Sequence, residues 1–186
     1  MKLYEILIKE TIDNFFSNDI EKKQKYASQV FAMLQDAYKK MGGIKGTGFR
    51  NEEDMVENIP MWKVFRRGDD IKAVMMYKDK GGRKRVAIAT DGTSDGKSML
   101  AKMIKDEALS GRAYGEISDK SLEFTKRILG DAFHDIAVPY DRVIKILKKD
   151  YDAGEIRQVN DYEYQRLIGG NWHTKVMVGN PGVRLT

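Results

Sequence analysis

The feature that most constrains this chain is a change of period at Met61. From there three short strand-like runs follow one another with tight turns between them. Met61 to Arg66 reads as a strand, Gly68-Asp69-Asp70 as a turn and Ile71 to Tyr77 as a second strand. Lys80-Gly81-Gly82 then turns the chain into Arg83 to Thr90, where Val86 and Ile88 share a face. Two tight turns between three strands predict an antiparallel meander. The third strand runs straight into Asp91-Gly92-Thr93-Ser94-Asp95-Gly96-Lys97-Ser98, and a helix starts at once, with Met99, Leu100, Met103, Ile104 and Ala108 on one side.

A strand, a loop with two glycines and a helix start together suit an anion. Backbone N–H groups at a helix start point outward, and glycine lets backbone approach a phosphate. A Walker A loop is one reading. It requires four residues between its glycines, whereas three separate Gly92 from Gly96 and Asp91 stands where the first Gly belongs.

The rest of the chain frames this loop. Leu3, Ile6, Leu7, Ile12, Phe15 and Phe16 fall at roughly helical spacing over residues 2–16. A stronger stripe (Tyr26, Val30, Phe31, Leu34, Tyr38, Met41) predicts a helix over residues 20–41, stopped by Gly42-Gly43. Ile44 to Asn58 reads as a loop with room for a short helix. Arg112 to Ser118 reads as a fourth strand and Lys120 to Leu129 as a helix. A short strand over Asp135 to Tyr140, a helix over Asp141 to Lys149 and a strand over Lys175 to Val178 complete the series. No linker interrupts it, and 186 residues is the size of one domain. Residues 1–186 are therefore expected as a single domain: helices and loop over 1–58, sheet and loop core over 59–140, helix and strand over 141–186.

Composition limits the chemistry. The chain has no Cys, which removes disulfides and thiolate nucleophiles, and its two His (His134 and His173) are too few for a His-rich metal site. Net charge is +5, and residues 61–90 alone carry +6, nine Lys and Arg against three Asp. A basic stripe with Trp62, Phe65 and Tyr77 interleaved would also suit nucleic acid. No apolar run reaches membrane-spanning length and no signal-peptide core opens the chain, so a cytoplasmic protein is expected.

Residues 61–130 resemble the GCN5-related N-acetyltransferase (GNAT) family in the order of elements: antiparallel strands, a strand–pyrophosphate loop–helix, then a strand–helix pair. The family's Arg/Gln-x-x-Gly-x-Gly/Ala motif falls on Thr93-x-x-Gly96-x-Ser98, where the middle Gly matches. Its Glu-Val-x-x-x-Asn falls on Glu116-Ile117 with Ser121 near the Asn position, and its Gly after the helix on Leu129-Gly130. Arg127 and Ile128 stand where many members carry a Tyr that protonates the leaving thiolate. The resemblance implies an α/β (α+β) fold with a central, mostly antiparallel twisted sheet flanked by helices, with extra N-terminal helices.

It also implies acetyl-CoA as cofactor and an amine acceptor, with direct transfer and no side-chain nucleophile. Ala87, Ile88, Ala89 and Thr90 would offer a backbone edge to the pantetheine. Gly92, Thr93, Ser94, Asp95, Gly96, Lys97 and Ser98 would hold the pyrophosphate, with Ser121 nearby. Glu116 is the carboxylate placed to act as base, and Tyr114, of the same parity, could act as acid. The alternatives are a nucleic-acid-binding module using the basic 61–90 segment and a non-catalytic interaction protein. The opening Met1–Leu7 resembles small proteins of tailed phages and bacteria.

Overall fold

The computed structural model describes residues 10–82, 85–110 and 115–179. They form a mixed α/β chain of two compact units, Met1–Leu100 and Ala101–Thr186. The division falls inside one helix, not at a linker.

The first unit is built on a four-stranded antiparallel sheet in the order β1-β2-β3-β4: Glu10–Phe15, Met61–Arg67, Asp70–Tyr77 and Arg85–Thr90. The expected meander is present. Val64 pairs with Val74 and Val74 with Ala89, and the turn at Gly68 (φ +61°) takes a left-handed conformation that a side chain would strain. Residues 83 and 84, at the expected start of the third meander strand, lie outside the described residues.

β1 corrects the helix expected over 2–16, of which residues 1–9 lie outside the described set. Strand pairing overrides the helical spacing. Asp13 sits beside Arg66 at 2.6 Å and Glu10 pairs with Arg67, so the polar residues of this segment meet cations on β2.

Helix α1 (Ile20–Tyr38) follows the predicted stripe. Tyr26, Ala27, Val30, Met33 and Leu34 are buried in one cluster with Trp62, Val64, Val74, Met76 and Ala89 of the sheet. Helix α2 (Glu52–Asn58) occupies the acidic stretch read as mostly loop. Asn51 caps it by accepting from the Asp54 N–H at 2.8 Å, and Glu52, Glu53 and Asp54 place negative charge at its N-terminus.

Lys23 is the exception inside this apolar cluster. It is fully buried, donates from Nζ to Ile59 O at 2.7 Å and lies 5.6 Å from the Trp62 ring centre. Among the described residues no carboxylate pairs with it directly.

Helix α3 (Ser94–Leu109) leads from the first unit into the second, which has its own antiparallel sheet in the order β5-β8-β7-β6. β5 is Gly115–Ser118, and residues 111–114 before it lie outside the described set. Helix α4 (Asp119–Leu129) agrees with the predicted helix. The strand expected over 135–140 is replaced by a short helix, α5 (Phe133–Ile136), and a single bridge from Ala137 to Val178. Helices α6 (Tyr140–Ile146) and α7 (Lys148–Asp152) lie where one helix was expected. The strands β6 (Ile156–Gln158) and β7 (Glu163–Ile168) are additional to the expectation, and β8 (Asn171–Val178) starts four residues earlier than predicted. Gly169 and Gly170, both with positive φ, turn β7 into β8.

Burial lowers the Lys23 pKa, and the Asp19 charge only partly opposes this. A folded-state pKa below the unfolded value, about 10.4, means the unfolded chain holds the proton more tightly. Stability therefore rises as pH climbs through the folded pKa toward the unfolded one. Lys23→Met is expected to abolish that alkaline gain while keeping the fold. Urea denaturation between about pH 8 and pH 10.5 reads it.

Candidate functional site

The loop predicted to hold a phosphate follows β4 directly. Its centre is the Asp91 carboxylate. The Thr93 N–H and hydroxyl donate to Oδ1 at 3.0 and 2.6 Å, and Lys72 Nζ lies 3.0 Å from Oδ2. Partial burial disfavours this charge, yet the Thr93 donors and the Lys72 ammonium outweigh it and hold the carboxyl below its ordinary value. Thr93 works in both directions, since its Oγ1 also accepts from the Gly96 N–H at 3.1 Å and so caps α3. The Gly92 N–H reaches Thr90 Oγ1 at 3.4 Å, and Asp95 pairs with Arg67 at 2.8 Å. The chain thus places one of its own carboxylates on the Thr93 amide.

The two glycines have different causes. Gly92 has φ +82° with open space around its missing side chain, so it serves the backbone turn. Gly96 has no left-handed requirement. A Cβ there would lie closer than 3.0 Å to Lys72 O, Asp91 Oδ1 and Thr90 Oγ1. Its bare Cα lets the first turn of α3 sit against the end of β3, where the Asp91 N–H also donates to Lys72 O at 3.0 Å. A substitution at Gly96 therefore reports on folding before it reports on any ligand.

Among the described residues β4 pairs with β3 alone and forms an edge of its sheet. Because the Asp91 N–H points to β3, the backbone groups of Ile88 and Thr90 point the other way. One of them is engaged: the Ile88 N–H donates to the Tyr38 hydroxyl at the end of α1, at 3.2 Å. Desolvation raises the Tyr38 pKa, so the phenol keeps its proton. Ala87 and Ala89 are buried on the core side with Trp62 and Val64.

In the second unit, Glu116 lies on the edge strand β5. Oε1 accepts from the Tyr164 hydroxyl at 2.6 Å and Oε2 from Arg166 Nη1 at 2.7 Å, and Arg166 also pairs with Asp150. Both carboxylate oxygens are thus taken by residues of β7. Burial raises the Tyr164 pKa well above the phenol range, reinforced by the Glu116 charge, so Tyr164 is a permanent donor. Tyr114 lies outside the described residues. Ser121 falls in the first turn of α4, with its side chain outside the described set.

Three of the nine cations of the basic segment are held by the chain's own acids: Arg66 pairs with Asp13, Arg67 with Glu10 and Asp95, and Lys72 with Asp91. Trp62, Phe65 and Tyr77 are buried and present no faces for bases. His173 stands on β8 opposite Arg166, not in the Gly-rich turn. His134 lines an open groove of about 660 Å³ with Lys126, Gly130, Phe133 and residues 160–163. Sequence reading missed this groove because two of its walls belong to β7 and the β6–β7 turn, which it did not anticipate.

No family model, curated protein or solved structure matches the chain.

Gly96→Ala is expected to cost about 1–3 kcal/mol, since backbone must move to admit the methyl. Gly92→Ala is expected to cost about 1–2 kcal/mol from its left-handed backbone alone. Chemical denaturation of the two variants separates the causes, because only the Gly96 variant also loosens the Thr93 cap. Tyr164→Phe, which strips one donor from Glu116, is expected to cost about 1–3 kcal/mol by the same measurement.

Proposed function

We propose that the chain is an acetyl-CoA-dependent N-acetyltransferase of the GCN5-related type that moves an acetyl group directly to an amine. One observation carries the reading. β4 closes one antiparallel sheet, α3 follows through a glycine-containing turn, and the next strand, β5, forms the edge of a separate sheet before α4. That is the order of elements on which the resemblance rests, although two four-stranded sheets stand where it implied one central sheet. Among the described residues no strand lies on the second side of β4, as a pantetheine pairing with backbone requires.

The roles follow from what each group can do. Ile88 and Thr90 offer outward backbone groups to the pantetheine amides, and the ligand takes the Ile88 N–H from Tyr38. The Gly92, Thr93, Gly96 and Lys97 amides already donate to Thr90 Oγ1, Asp91 Oδ1, Thr93 Oγ1 and Thr93 O, so the Ser94 and Asp95 amides and the Lys97 ammonium are the groups left to face the pyrophosphate. The amine nitrogen attacks the thioester carbonyl, the C–S bond breaks, and the proton lost by the amine ends on a base or solvent. Glu116, expected as that base, has both oxygens held by Tyr164 and Arg166, and these partners fit a brace between β5 and β7.

A nucleic-acid-binding module has less support, because Arg66, Arg67 and Lys72 are paired with acids and the aromatics Trp62, Phe65 and Tyr77 are buried. An interaction protein keeps the fold and lacks the cofactor.

Acetyl-CoA at about 1 mM is expected to raise the melting temperature by several degrees. Transfer to a panel of amines is expected to release free thiol. The chain has no Cys, so a thiol reagent reads CoA release with no protein background. Absence of both the shift and the thiol overturns the reading. Retention on nucleic acid that falls steeply with salt would favour the module instead.

A further inference from the structure

The groove in the second unit has a chemistry of its own, independent of the acetyl-CoA loop. It lies between the end of α4, α5 and the turn from β6 to β7, and its volume of about 660 Å³ falls in the range of small-molecule sites. Its turn is built rigidly. Asn160 Oδ1 accepts from the Tyr162 and Glu163 amides at 3.0 and 2.8 Å, and the Tyr140 N–H holds Asp161 O at 2.8 Å. A wall fixed in this way loses little freedom when it binds.

The charges sort themselves. Lys126 Nζ lies 2.5 Å from Glu163 Oε1, so these two cancel. The Asp161 carboxylate has no ion-pair or hydrogen-bond partner among the described residues. The rings form a continuous run: His134 packs edge-on to Phe133 at 5.8 Å and against Tyr162 at 5.5 Å. His134 is exposed and its ring nitrogens have no partner among the described residues. An unpaired acidic residue lining the same groove as the His134 and Tyr162 rings makes a cation's environment, since ring faces carry negative charge density. A neutralised Lys126 leaves no free ammonium to attract an anion in its place.

We propose that this groove binds a small organic ammonium ion carrying an aromatic or apolar group, with Asp161 as counter-ion and the Tyr162 and His134 rings receiving the apolar part, while Phe133, buried beneath Lys126, backs the His134 ring. The ligand class includes amines that an acetyltransferase could accept, but the site stands on its own geometry.

The two histidines make the test direct. His134 lines the groove and His173 does not, so imidazole proton resonances at constant pH give one reporter and one internal control. With 2-phenylethylamine, the His134 signals are expected to shift and saturate while those of His173 stay. Phenylacetate, the same ring with the opposite charge, is expected to leave both unchanged. Asp161→Asn preserves the carbonyl that holds Tyr140 and is expected to weaken amine binding about tenfold or more. Ligand-observed saturation transfer on His134→Ala is expected to show weaker contact as well. No saturable shift up to about 10 mM amine, equal binding of phenylacetate, or an Asp161→Asn variant that binds as tightly overturns the proposal. Amine binding in a chain that ignores acetyl-CoA keeps the groove and removes the acetyltransferase reading; the reverse result does the opposite.

Discussion

Gly96 has no room for a side chain, and much of the first unit follows from that. Its Cα approaches the carbonyl of Lys72 so closely that α3 must start against the end of β3. The approach places Asp91 between the Thr93 donors and the Lys72 ammonium, and it fixes where β4 stops. A helix seated this tightly also has its first turn presented in one orientation. The glycine read from sequence as a place for phosphate is first a place for backbone.

That double meaning explains what could be read in advance. The meander was legible because alternation, two glycine turns and β-branched residues agree along residues 61–90. α1 was legible because its apolar stripe is long. β1 was not, because its identity depends on Arg66 and Arg67, some fifty residues later, which pair with Asp13 and Glu10. The strands β6 and β7 were hidden for the same reason. Gln158, Arg157 and Arg166 are polar, and their strand character comes from each other and from β8 rather than from local propensity.

The candidate site was legible as a place and not as an arrangement. The loop 91–98 is where a strand, a turn and a helix meet, as the spacing suggested. Spacing could not show that Asp91 would take the Thr93 amide, or that both oxygens of Glu116 would be held by β7. Nor could it show His134 beside Tyr162, two residues brought together by a turn unseen in the sequence. Charge was misleading in a useful way. The excess over residues 61–90 looked like a surface waiting for a polyanion, but Arg66, Arg67 and Lys72 are spent on the chain's own acids.

The contact between Tyr38 and Ile88 has a meaning apart from any ligand. A strand with one side unpaired among the described residues, and with Val86, Ala87, Ile88 and Ala89 in succession, is a template on which another chain can grow a strand. β1, at the other edge of the same sheet, carries Glu10 and Asp13 and resists such growth by charge. β4 has no charge at its centre and is guarded instead by a phenol from its own first helix. A chain with Tyr38 altered would carry its hazard in concentrated solution, as self-association through β4.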